Sequence, residues 1–186
     1  MPADAFTLPD ARTPTAGNSH PAIKTAMTAR IDYRKVSPEA MRAMAALERF
    51  THASGLEPGL LELVKLRASY INGCAYCVDV HTTDARAGGE TEQRLYAIPV
   101  WRETPFFTPR ERAALAWTES VTDVARTGVP DDVYEQARAE FAEAELLALT
   151  MAIIAINGWT RLAVSFRTEP GTYQPRGARP AMATAG

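Results

Sequence analysis

The chain has 186 residues, room for one domain of ordinary size. Its 46% hydrophobic and 23% charged residues exclude a disordered or collagen-like protein, and two cysteines exclude a disulfide scaffold. Lys and Arg number 20 against 22 Asp and Glu, a net charge of -2 with the arginines dispersed singly, so there is no basic field to gather nucleic acid.

Pro2, Pro9, Pro14 and Pro21 recur too often for any useful helix, so residues 1–29 are expected to be a flexible N-terminal tail. The stretch lacks a charged start and an apolar signal core, which points to a cytoplasmic protein. From there the apolar residues recur at three- and four-residue spacing, predicting helices over 38–53, 59–71, 75–87, 91–97, 109–126, 131–140 and 143–167. Ser37-Pro38-Glu39 and Thr108-Pro109-Arg110-Glu111 supply start signals; Asn72-Gly73, Gly88-Gly89 and Gly128 supply stops. The longest apolar stretch, around Leu146 to Ile156, is shorter than the roughly 20 residues that cross a bilayer and reads as a buried helix, with no membrane partner. Gly171, Pro175, Gly177 and Pro180 mark a second tail over 171–186. No segment alternates with period two between hairpin turns. The expected fold is all-α, a single-domain antiparallel bundle of about seven helices over residues 30–170.

The chemistry gathers between Glu62 and His81. Both cysteines lie here, in Asn72-Gly73-Cys74-Ala75-Tyr76-Cys77-Val78-Asp79-Val80-His81. With a helix opening at Cys74, three residues turn about 300° and seven about 700°, so Cys74, Cys77 and His81 can meet in one pocket. A helix N-terminus and a nearby imidazolium both stabilise a thiolate, and i, i+3 spacing lets the two sulfurs join. Such a pair suits peroxide reduction through a sulfenic acid and a disulfide. Two other readings fit the same residues: a zinc site of Cys74, Cys77, His81 and Glu62, or two buried structural cysteines. A thioredoxin-like domain is disfavoured because the motif sits among helices, and haem attachment fails because Val78 follows Cys77.

A Glu twelve positions before the first Cys, followed by C-x-x-C-x-x-x-H, resembles the AhpD core of the carboxymuconolactone decarboxylase-like family, in its peroxidase-related branch. Further matches lie in Trp101-Arg102-Glu103-Thr104, in Arg110 to Glu119 and in Ile156-Asn157-Gly158-Trp159-Thr160-Arg161, so the likeness spans roughly residues 30–173. The resemblance implies a helical homo-oligomer that reduces a hydroperoxide with electrons from a dithiol donor and without a cofactor. It assigns Cys77 as the cysteine oxidised to sulfenic acid, Cys74 as its resolving partner, and Glu62 and His81 as the proton relay. Tyr76 departs from the pattern, since the AhpD enzyme has His immediately before the second Cys. The competing functions are a lactone decarboxylase-like acid-base enzyme, which needs no cysteine pair, and a redox sensor without turnover. Trp101, Trp117 and Trp159 read as core or subunit-contact anchors. Glu119 and Arg161 are expected to pair structurally or approach the cysteines, Lys65 and Arg67 to be solvated or ion-paired, and His52 to cap its helix.

Overall fold

Proline decides where three helices begin. A pyrrolidine ring fits the first helical turn, whose N–H groups have no partner within the helix. In the computed structural model, which describes residues 28–175, α1 (Tyr33–Val36) precedes α2 (Pro38–His52) and α3 (Pro58–Ile71). Next come α4 (Ala75–Ala87), α5 (Glu92–Ala97), a 3-10 stretch (Ile98–Glu103), α6 (Pro109–Thr122), α7 (Val124–Thr127), α8 (Asp131–Glu140) and α9 (Glu143–Phe166). The Ser37 hydroxyl accepts from the Ala40 N–H, and Thr108 forms a reciprocal capping box with Glu111. Among the described residues there is no strand, and the protein is all-α. The expected tails lie outside the described residues except at 28–29 and 171–175.

Three details differ from the periodicity reading. The single turn of α1 is too short to show a period. The helix expected over 109–126 breaks at Asp123 (φ -108°, ψ 36°) into α6 and α7. Pro99, which has no N–H to donate, lies in the 3-10 stretch, where Val100 leaves helical geometry.

Two helices form the centre. α3 is buried on nearly every side through Leu60, Leu61, Leu63, Val64, Lys65, Leu66, Ala68 and Ser69, and packs against α4, α6 and α9. The long α9 meets α2, α3 and α6. It is apolar and long enough to cross a membrane by length and composition, yet half of its most apolar window is buried inside the fold, as in a core helix. Chain direction follows from paired contacts. Glu57 with Arg110 and Arg67 with Glu119 set α3 and α6 in the same sense, and Trp117 with Thr150 and Thr122 with Asn157 do so for α6 and α9. The tightly linked α3 and α4 run oppositely, with Glu62 opposite His81. Among these central helices α3 and α4 pack antiparallel, while α3, α6 and α9 run parallel.

Glu119 ties three of these segments together. Its carboxylate accepts from Arg67 Nε at 2.9 Å and Trp101 Nε1 at 2.8 Å, and also pairs with Arg102. Arg67 and Glu119 therefore pair structurally, away from the cysteines. Glu119→Ala leaves a buried indole N–H and a largely buried guanidinium without their acceptor. The expected loss is about 2–3 kcal/mol, read from urea unfolding.

Candidate active site

The turn between α3 and α4 places the cysteines. Gly73 takes a left-handed φ of 63°, which costs glycine nothing. The chain then closes α3 with two bonds: the Gly73 N–H donates to the Tyr70 carbonyl at 3.2 Å, and the Cys74 N–H to the Ser69 carbonyl at 3.0 Å. The residue that finishes α3 also starts α4. Cys74 is the N-cap, and its sulfur accepts from the Cys77 N–H at 3.2 Å, where Ser, Thr or Asp commonly stands. Cys74 and Cys77 are joined as a disulfide with Cα atoms 5.3 Å apart. Asn72 fastens the turn to α9 by donating to Asn157 Oδ1 at 3.0 Å, and Arg161 donates to that same oxygen at 2.9 Å.

Across the turn, Glu62 on α3 meets His81 on α4, with Oε2 2.8 Å from Nδ1. Both side chains are largely buried. Lys65, one turn beyond Glu62, is 2% exposed. Its ammonium pairs with Glu48 on α2, lies 3.8 Å from Glu62 Oε1 and is 3.4 Å from His52 Nε2. His52 in turn is 3.2 Å from Glu48. His52 ends its helix and also joins this network. Asp84, one turn past His81, accepts from the Tyr173 hydroxyl at 2.9 Å, while the Gly171 N–H donates to Asp79 at 2.7 Å, so residues 171–173 lie along α4.

These groups border one cleft of about 1240 Å³ between α2, α3, α4 and α9. Glu48, His52, Glu62, Lys65, Cys77, His81 and Asp84 line it, with Tyr33, Met41, Ile156 and Trp159 among its apolar wall. Cys77 belongs to that wall and Cys74 does not. All four residues singled out in the sequence are thus brought together, Cys74 behind and the other three facing the cleft. Trp101 and Trp117 are core anchors, whereas Trp159 packs beside the disulfide and reaches the cleft. Tyr76 is held by Arg34, whose guanidinium donates to the phenol oxygen at 2.7 Å.

Burial pushes the Glu62 carboxyl up, but the His81 hydrogen bond and charge, with Lys65 and His52, outweigh it and hold the group below the ordinary carboxylate range. Glu48 follows the same pattern: burial raises it, and Lys65 above all brings it below that range. Asp84 goes the other way, raised by burial and by the Glu62 charge against the Tyr173 hydrogen bond. Folded Glu48 and Glu62 hold their protons less tightly than in the unfolded chain, so the stability they contribute is present above the ordinary carboxylate value and is lost as the pH falls through the folded values. Thermal unfolding followed between about pH 6 and pH 3 should show this acid loss, and Glu48→Gln should make it shallower.

Sulfurs joined to each other offer no thiolate to a metal, so the zinc set of Cys74, Cys77, His81 and Glu62 is not available in the disulfide form. Glu62, His81 and Asp84 do bring ligand atoms within 4.8 Å of one another, with Glu62 and His81 already bonded to each other.

The geometry can be set beside known proteins. Residues 38–120 match the carboxymuconolactone decarboxylase family. The uncharacterized protein YdfG of Bacillus subtilis is 40% identical over 139 residues, 75% of this chain and 95% of that protein. A protein of unknown function from Agrobacterium tumefaciens, named as an AhpD antioxidant-defence candidate, is 49% identical, with 78% of this chain and all of that one covered at a TM-score of 0.76. An uncharacterized peroxidase-related protein with an AhpD core from Ralstonia eutropha, 21% identical over 75% of each chain, shares the fold at a TM-score of 0.67. The stretch of 38–120 holds Glu62, both cysteines and His81, and the longer matches extend over the helical body. The chain therefore belongs to the carboxymuconolactone decarboxylase family, with an AhpD-like core.

Proposed function

We propose that the protein is a thiol-dependent peroxidase that reduces hydroperoxides through Cys77 and Cys74. The observation that carries this reading is the Cys74–Cys77 disulfide, with Cys77 on the wall of the cleft it shares with the Glu62–His81 pair. In the reduced protein the Cys77 thiolate attacks the terminal peroxide oxygen. The O–O bond breaks, Cys77 becomes a sulfenic acid, and the leaving alkoxide takes a proton and departs as an alcohol, or as water when the substrate is hydrogen peroxide. The Cys74 thiol then displaces hydroxide from the sulfenic sulfur, releasing water and forming the disulfide. A dithiol donor reopens it by exchange, becoming a disulfide itself. Glu62 and His81 accept and return the protons, because a carboxylate and an imidazole 2.8 Å apart can pass a proton between them at the edge of the cleft.

The Cys pair favours this reading over the lactone decarboxylase-like one, whose acid-base chemistry needs no thiols. A reducing cytoplasm is the matching compartment, since it supplies dithiol donors. Exposed Leu147, Ile154 and Val164 on α9 favour a homo-oligomer, which light scattering would show as a multiple of 20.3 kDa. Peroxide consumption measured in parallel with dihydrolipoamide, thioredoxin, glutathione and no donor tests the function. Turnover is expected with a dithiol, and none with any donor would refute the peroxidase.

A further inference from the structure

Lys65 is a buried cation that the proposed chemistry does not use. It sits in an otherwise apolar stretch of α3, Leu63-Val64-Lys65-Leu66, and is 2% exposed. A buried ammonium persists where opposite charge surrounds it. Here two carboxylates face it, Glu48 from α2 and Glu62 from its own helix. The two are not equivalent: Glu48 makes the direct ion pair, whereas Glu62 stands 3.8 Å away and keeps its other oxygen on His81 at 2.8 Å.

We propose that Lys65 is a positioning residue, held by Glu48 at a set distance from Glu62, and that this balance fixes how much negative charge the Glu62–His81 pair presents to the Cys77 thiol. The proposal rests on the reading of Glu62 and His81 as the proton relay. Removing Lys65 leaves Glu48 and Glu62 unneutralised beside the cleft, a more negative surrounding that disfavours the thiolate. Removing the Glu48 charge does the opposite, since the ammonium is then balanced by Glu62 alone. The cleft also holds Arg34 and Tyr76, which are bonded to each other, with Tyr33, Arg42, Arg49 and Glu90 on its wall. α2 contributes His52 beside Glu48, and α4 contributes His81 and Asp84, with Tyr173 beyond Asp84. On its other side α3 meets α6 and the 3-10 stretch through Arg67, which pairs with Glu119 and donates to the Pro99 carbonyl, and Glu57, just before its first turn, pairs with Arg110.

The test uses the full-length protein, reduced, with Cys77 alkylation by iodoacetamide followed against pH in a Cys74→Ser background. It reads the thiol directly and needs no peroxide turnover, so a failed peroxidase and a failed positioning role give different results. Lys65→Met should move the midpoint of the alkylation profile up by about one pH unit, a slowing of about tenfold at a fixed pH below it. Glu48→Gln should move it down, and Lys65→Arg should return it close to the parent. If Lys65→Met does not fold, as circular dichroism would show, Glu48→Gln and Lys65→Arg still decide the matter. Unmoved midpoints in folded variants, or Lys65→Met and Glu48→Gln moving them the same way, would overturn the proposal.

Discussion

Cys77→Ser should reduce peroxide turnover by about 10³-fold or more, to the rate of peroxide with donor alone. The reason is that no other group can take its place. A serine hydroxyl is not ionised near neutral pH and cannot be oxidised to a sulfenic acid, and the remaining sulfur, Cys74, is not part of the cleft wall. Cys74→Ser should behave differently. Its serine can still cap α4 by accepting the Cys77 N–H, so the local fold is kept. The first oxidation should proceed, but with no resolving thiol the protein stalls after one equivalent of peroxide unless a donor thiol attacks the sulfenic acid directly. Steady-state peroxide consumption with a stopped-flow measurement of the first turnover separates the two variants.

Glu62→Gln is expected to lower turnover by about 10²-fold while leaving the helices intact. An amide can hold a hydrogen bond to His81 but cannot carry the proton. His81→Ala should cost a similar factor, and the double variant little more than either, because two groups bonded at 2.8 Å act as one relay and lose their joint contribution once. Full multiplication of the two losses would show instead that they act separately. The Glu62 carboxyl is held below the ordinary carboxylate range by His81 and Lys65 in spite of burial, so it is a proton acceptor at neutral pH and loses that capacity only on acidification. Turnover should therefore fall in acid in the parent protein, and Glu62→Gln should lose that acid limb.

Much of this site was legible because its signals are local. Ser37-Pro38 and Thr108-Pro109 marked two helix starts, and Asn72-Gly73 marked the stop that makes Cys74 an N-cap, each within four residues of chain. His81 follows from its spacing on the helix of the cysteines, whereas the relay role of Glu62 comes from the family resemblance. What stayed hidden depends on distant contacts. Lys65 lies three residues after Glu62, which was visible, but its principal partner Glu48 comes from another helix, and only the tertiary fold that brings α2 beside it decides that the ammonium is buried and not solvated. The Arg34 bond to the Tyr76 hydroxyl spans 42 residues, so the sequence disclosed a phenol in place of an imidazole without disclosing the guanidinium that holds it. The parallel run of α3, α6 and α9 was equally out of reach, because short connections speak only for helices adjacent in the chain.

The central claim is that the two thiols are unequal and that Cys77 meets the peroxide. Two arguments oppose each other: the helix dipole is strongest at Cys74, while the cleft opens on Cys77 next to Glu62 and His81. Treating reduced Cys74→Ser and Cys77→Ser proteins with one equivalent of hydroperoxide in the presence of dimedone, then locating the label by mass spectrometry, decides between them. The expected result is rapid labelling of Cys77 in the Cys74→Ser protein and little on Cys74 in the other. Faster labelling of Cys74 in the Cys77→Ser protein would contradict the account and reverse the roles of the two sulfurs.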